Sequence, residues 1–445
     1  MLPMSLGAFC AALDNNILSV CLPSIIKEFG SDPGMGQFVS SSYTFAICSL
    51  LLTFGYFSAD FGRKRVFATG TLTFAFSSLL SILAPNIAVL IGLRIIQGIG
   101  AAMFMANGLA LVNTHFSHEF RGRAFGIMAT AGAVASILGP ILGGFIAAHW
   151  DWRVNFLLLV VLGITAALSA IKLLAPESVG DWRSKLSHFD YTGAALSILA
   201  VLMLVASLFA LRSHWWVVFT MFLIGAAIIV AIFVRQQAQS PNPILHAKVL
   251  GKRGFLNGNS MAFAIFAIMM GISTTLPLYL AKQDVSAGMA GILLSFQAIP
   301  IFAIAFFAGV LSDRYSAKLV SLIGTLVVLL GTVILALSFH INALYLVALG
   351  NALLGVGVGF FNPSNQKVVM SNIDNQYASV AASTNVLFRN LGVATGTAMA
   401  GILFGVFENW QPSPVTPAVG TSSFFILLAI VLVALGFMRK SPVKE

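Results

Sequence analysis

The chain has 445 residues, 58% apolar and 9% charged, with a mean hydropathy of +0.95. Soluble domains carry roughly 25% charged residues, which they need to cover their surface, so a water-soluble globule is excluded and the outer surface is expected to face a lipid bilayer. The formal charge of +10 would point to nucleic acid in a soluble chain, but here its distribution along the sequence is the better test. Apolar runs are continuous rather than alternating, which excludes a transmembrane β-barrel. Cys10, Cys21 and Cys48 show neither a disulfide framework nor metal spacing, and no metal or cofactor is expected. No basic leader precedes the first apolar run, so no cleaved signal is expected.

Splitting the apolar runs at charged clusters, Pro and Gly predicts an all-α integral membrane fold of fourteen helices. They cover about residues 4–24, 38–58, 66–84, 87–113, 124–147, 154–173, 190–210, 214–234, 255–280, 287–311, 318–338, 343–365, 378–407 and 421–438. With the N-terminus inside, eighteen of the 24 Lys and Arg fall in inner segments. Lys27, Arg153, Arg212 and Lys282 fall outside, and Arg94 and Arg389 lie within spans. That asymmetry predicts fourteen spans with both termini cytoplasmic in the cell inner (plasma) membrane, and it accounts for the basic charge without nucleic acid. A weak repeat relates Gly55–Lys64, GYFSADFGRK, to Gly309–Lys318, GVLSDRYSAK. It divides the chain into a six-helix bundle at 1–174, a linker at 175–254 carrying a helix hairpin at about 190–234, and a second six-helix bundle at 255–445. Duplicated bundles with a site at their interface belong to rocking secondary transporters.

Asp14 is the only acidic residue inside an apolar span. A carboxylate near the bilayer midplane should face a cavity or a partner, and it is the natural proton-loading group; the other reading is a structural carboxylate tied to Asn15, Asn16 or Arg94. Arg94 keeps its charge under all conditions and is a fixed positive partner for Asp14, or an arginine satisfied by carbonyls and Gln97. Gly126, Ala135, Gly139, Pro140, Gly143 and Gly144 give the fifth helix a small-residue face of the kind that permits close helix packing. Arg389 lies mid-helix with no acidic residue at comparable depth in the second bundle, leaving Asp14, a backbone carbonyl or an anionic substrate group as its partner. Polar residues available to a substrate cavity include Asn15, Asn16, Gln97, Asn107, Gln297, Asn362 and Asn385, interleaved with many of the 37 phenylalanines. Such a lining favours an amphipathic organic solute over a hydrated ion. No phosphate-binding G-x-x-x-x-G-K-[ST] loop is present.

These residues resemble the major facilitator superfamily, and within it the fourteen-span drug:proton antiporters of multidrug efflux type. Leu13-Asp14 through Leu22-Pro23 is similar to the family's first-helix signature, with Asn16 and Ser19 departing from it. Leu90 to Ala102 matches the fourth-helix signature, Gly126 to Gly144 the antiporter motif with Ala135 for one Gly, and Phe189-Asp190-Tyr191-Thr192-Gly193 the start of the extra helix pair. The resemblance implies a cytoplasmic gate built from Gly55, Asp60, Gly62, Arg63 and Lys64 in the first loop and Asp313 and Arg314 in the second. In the first loop Ala59 holds the place of the family's latching Asp and Asp60 that of its Arg; in the second, Ser316 replaces a Gly.

The expected function is therefore proton-coupled export of amphipathic organic compounds such as drugs or biocides, with antibiotic resistance as its consequence, by a monomer whose partners are a small-molecule substrate, protons and lipid. A second reading keeps the fold and makes the substrate an endogenous lipid, siderophore or metabolite. A third, an integral-membrane transferase, would need a His, Asp or Ser cluster at one membrane face, and none is apparent.

Overall fold

The computed structural model describes residues 1–31, 33–175, 189–212, 216–241, 243–244, 249, 253–283, 285, 287–371, 373–410 and 416–438. Arg183, Lys185, Lys248, Lys252, Arg439, Lys440 and Lys444, all counted above as inner positives, lie outside them, as does most of the linker before residue 189.

A backbone crossing lipid must satisfy its own hydrogen bonds, and the apolar runs accordingly form helices. Fourteen of 20 residues or more are found among the described residues. They are α1 (Leu2–Phe29), α2 (Pro33–Phe61), α3 (Arg63–Ile82), α4 (Ile87–His115), α5 (Arg121–His149), α6 (Arg153–Leu173), α7 (Tyr191–Arg212) and α8 (Trp216–Gln239), then α9 (Arg253–Lys282), α10 (Ala287–Arg314), α11 (Ala317–Ile341), α12 (Leu344–Ser371), α13 (Ala378–Trp410) and α14 (Thr416–Met438). Twelve carry a described stretch long and apolar enough to cross a membrane; the other two are α1 and α14. Several helices run beyond their apolar stretch by a turn or more, and α9, α10 and α12 continue through Pro277, Pro300 and Pro363. Packing of neighbouring helices makes internal prolines tolerable in a bilayer.

Helix breaks follow local chemistry. Asn86 caps α4 by accepting the Val89 N–H at 2.9 Å. Between α2 and α3 the chain turns on Gly62 at φ 93°, a backbone conformation that side chains with a Cβ rarely adopt. This is the physical demand behind the glycine of the first loop.

Within α1 to α6, α3 and α2 pack on α4, α1 packs on α5 and α6, and α3 packs on α6. Adding eight to each number gives the pairings of α9 to α14: α11 and α10 on α12, α9 on α13 and α14, α11 on α14. The repeat that is faint in two loops is thus repeated throughout the packing. Between the two groups, α5 meets α10 and α2 meets α13, again related by eight.

The α7–α8 pair stands outside this scheme, with α7 against α2 and α13 and α8 largely exposed along its apolar length. Its base is tied by Asp190, whose carboxylate accepts the Gly193 N–H at 2.8 Å and the Gln236 and Gln237 amides at 2.8 and 2.7 Å. Asp190→Ala removes a helix cap and leaves two amides without their acceptor. It is expected to destabilise the hairpin by about 1 to 3 kcal/mol, read as a lowered unfolding temperature, with Asp190→Asn less damaging because one oxygen remains.

Candidate functional site

Asp14 sits halfway along α1, and α4 brings Arg94 to it. Arg94 Nη1 donates to both carboxylate oxygens, at 2.7 and 2.9 Å, and both side chains are closed off, at 0% and 1% exposure. One turn along α4, Gln97 accepts from Arg94 Nη1 at 2.6 Å and donates to Asp14 Oδ1 at 3.3 Å and to Ser78 Oγ of α3 at 2.8 Å. The spacing of Arg94 and Gln97, three residues apart, places them on one helix face. Arg94 Nε donates to the Val39 carbonyl at 3.1 Å, and its guanidinium lies 4.3 Å from the centre of the Tyr43 ring. Four helices therefore converge on one buried ion pair. The chemical consequence is an asymmetry: Asp14 depends on Arg94 and Gln97, whereas Arg94 is also held by Gln97, Val39 and Tyr43.

Asp14 also forms the inner end of a narrow crevice between α1 and the start of α6, which runs past Leu18 and Cys21 to Ile25 and is walled by Trp152, Asn155, Phe156 and Leu159. Its volume of about 10 Å³ is room for about one water. The buried Asn155 donates to Cys21 Sγ at 3.0 Å and to the Trp152 carbonyl at 3.1 Å, and its Oδ1 has no partner among the described residues. Near the crevice's far end, Arg153 pairs with Glu28 at 2.7 Å and Asp151 at 3.2 Å, and Trp152 Nε1 donates to Glu28.

The small-residue face of α5 serves two interfaces. Gly139 and Gly143 lie against Asn16 and Ile17 of α1, so any side chain there would displace the helix that carries Asp14. Gly126 lies against Ala305 and Phe306 of α10, and Gly122 against Gly309 and Asp313. Pro140 and Gly144 fall within the same helix.

The residues read as cavity-lining are dispersed. Gln97 belongs to the Asp14 network. Asn15 is exposed, and Asn16 donates to Ala12 O and Ser136 Oγ. Asn107 is buried and bonded to its own helix at Met103 O, Gln297 accepts from Ser273 Oγ at 2.8 Å, and Asn362 accepts from Gln366. Asn385 donates to Asn259 Oδ1 at 2.9 Å, and Arg389, half-buried, lies over Phe266 at 5.4 Å.

At the end of the bundle that carries Arg63, Arg121 and Arg314, the two helix groups are fastened together. Asp313, at the end of α10, accepts the Gly122 and Arg123 N–H groups at 2.8 Å each and the Lys367 ammonium at 2.7 Å. A carboxylate at the N-terminus of α5 satisfies free backbone donors and meets the positive end of the helix dipole. Beside it partial burial lowers the pKa of the His118 imidazole, with Lys367 and Arg121 acting in the same direction and Asp313 and Glu119 against it. In the related position of the first loop, Ala59 has no carboxylate to offer and Asp60 is half-exposed near the end of α2. The fastening there is made by Arg63, which donates to Ser379 Oγ at the start of α13 at 2.7 Å and to the Asn375 carbonyl in the turn just before it. Gly55 closes directly on Ser379 and Ser383, Lys64 donates to Leu174 O, and Arg314 is exposed. One apolar core joins α1–α6 residues to Val369, Met370, Ala378, Ala382 and Val386 of the other group. Sequence reasoning missed Ser78, Tyr43, Lys367 and Ser379; the signal for Lys367 was a lone lysine within an otherwise uncharged stretch of α12.

The Major Facilitator Superfamily description matches residues 4–235 and 258–445. The chain belongs to that superfamily. It is a membrane transporter rather than an enzyme, and its relatives include drug-efflux proteins. It is 28% identical over 401 residues to the riboflavin transporter RibZ of Clostridioides difficile (strain 630), covering 90% of this chain and 86% of that one. Over 422 residues it is 27% identical to the multidrug resistance protein Stp of Mycobacterium tuberculosis (strain CDC 1551 / Oshkosh), covering 94% and 77%. The fold is that of a human organic anion transporter, with a TM-score of 0.70 at 15% identity and 98% of each chain covered.

Proposed function

We propose that this transporter exports amphipathic organic compounds from the cell in exchange for protons, by alternating access between a bundle at 1–174 and one at 255–445. In this reading all fourteen helices span the inner membrane, both termini are cytoplasmic, and the α7–α8 hairpin is an accessory. The observation that carries it is the buried Asp14–Arg94–Gln97 network: a carboxylate halfway along α1 is held by an arginine that Gln97 and the Val39 carbonyl hold as well. The Asp313 and Arg63 fastenings close the cytoplasmic face, so the state described is one open to the other side or occluded. Protonation of Asp14 weakens its bonds to Arg94 and Gln97 and loosens α1 against α4; because α1 also packs on Gly139 and Gly143 of α5, and α5 carries the Asp313 contact, the change reaches the inner closure. Substrate then loads from the inner side, and loss of the proton resets the pair. The relative named as a riboflavin transporter favours a second reading in which the solute is an endogenous metabolite.

Cells expressing the chain are expected to accumulate several-fold less of at least one compound in a panel of dyes and antimicrobials, and a protonophore should abolish the difference. Reduced accumulation that persists with the protonophore would remove proton coupling, and no reduction for any compound would remove the multidrug reading.

A further inference from the structure

We propose that Arg389 binds the anionic group of the transported compound, and that the preferred substrates are aromatic anions. This rests on the exporter reading and narrows it. The charges deep within the spans are Asp14, Arg94 and Arg389, whereas Asp60, Asp313 and Lys367 lie at the basic end of theirs. Asp14 and Arg94 neutralise one another in a closed pair, which leaves Arg389 as the uncompensated one. A guanidinium cannot shed its proton, and one held in hydrocarbon requires a partner. Arg389 lies eleven residues into α13, about 16 Å from its start. Among the described residues it has no hydrogen-bond or ion-pair partner; the contact it makes is with the face of Phe266.

Its placement is informative. Ala382 and Val386, seven and three residues earlier and hence on the same side of α13, belong to the core shared with α1–α6. Arg389 stands on that side above the level at which Gly55 and Arg63 close on Ser379 and Ser383, and it is half-buried instead of packed shut. It therefore stands at the edge between the contact with α1–α6 and the α9 contact, where Gly392 and Gly396, three and seven residues later, lie against Phe263 and Ala267. On α9, Phe263, Phe266, Met270 and Ser273 form a half-buried stripe at helical spacing beside it. α9 to α14 carry no acidic residue at that depth, and Asp313 is taken up by Lys367 and the start of α5. A planar fork of donors next to a phenylalanine face suits a carboxylate or sulfonate attached to an aromatic ring, and it repels a cation.

The test uses three probes with one ring system and different charge: 1-naphthoate, 1-naphthalenemethanol and 1-naphthylmethylammonium. Binding to the purified full chain is measured by quenching of its tryptophan fluorescence, and uptake by proteoliposomes. Wild type is expected to bind naphthoate at least about 10-fold more tightly than the ammonium compound. Arg389→Gln should weaken naphthoate binding about 10- to 100-fold, as expected for loss of a charge-assisted pair, and leave the alcohol within about 2-fold. Arg389→Lys should fall between them, since a point charge lacks the fork. Equal binding of the three probes by wild type, or an unchanged naphthoate preference in Arg389→Gln, overturns the proposal while leaving the exporter reading intact. Failure of wild type to bind any of them also overturns the proposal; the exporter reading is decided by the accumulation assay. If Arg389→Gln does not fold, the wild-type charge series and Arg389→Lys decide the matter.

Discussion

Asp14→Asn is expected to reduce uphill, proton-driven export to the level of protein-free vesicles, with downhill flux and substrate binding retained. Asparagine matches aspartate in size but cannot titrate, so a cycle that loads a proton on Asp14 stops. The substitution also strips the counter-charge from Arg94, which is closed off from solvent. Removing one partner of a buried pair costs about 3 to 5 kcal/mol, so a marked fall in unfolding temperature should accompany the loss. The double variant Asp14→Asn/Arg94→Gln separates the two effects, because it removes the orphaned charge and should recover much of the stability without recovering coupling. Asp14→Glu should keep some coupling with a changed pH optimum. Wild-type uphill export by Asp14→Asn in vesicles with an imposed pH gradient would place the proton elsewhere, with Asp60 and Asp313 the next groups to test.

Asp313→Asn is expected to open the basic end of the bundle. The carboxylate accepts two backbone N–H groups of α5 and the Lys367 ammonium; an amide retains one oxygen and no charge. Lys367, only 6% exposed, is then left buried without a counter-ion, a cost of about 3 to 5 kcal/mol. That cost falls on the closed state, where Lys367 is buried, and every 1.4 kcal/mol is about a tenfold shift in population, so the open state should become dominant. Spin labels at the exposed positions Glu119 and Tyr315 should move apart in the variant. Asp313→Asn/Lys367→Met should restore part of the closure, because the unpaired charge is gone. Identical label distances in wild type and Asp313→Asn would show that the closure rests on the apolar contacts and Arg63 alone.

Much of this molecule was legible in its sequence because lipid leaves a chain few choices. Continuous apolar runs predict helices at very nearly the places where they are found, since a spanning backbone has no other way to satisfy its hydrogen bonds. The same constraint makes each embedded charge conspicuous, so Asp14, Arg94 and Arg389 stood out before any partner was known. Tertiary structure alone decided which charges meet. Both arginines were open to Asp14 from the sequence; the rotation of α4 against α1 gives it to Arg94 and leaves Arg389 against Phe266. The first loop has Ala59 where the family has its latching Asp, yet Arg63 fastens the start of α13 by donating where Asp313 accepts. Hydropathy records how much of a helix must be hidden. It does not record which face turns to which neighbour, and contacts between residues hundreds of positions apart depend on that rotation and on how closely glycine faces such as Gly55 and Gly122 let the backbones approach.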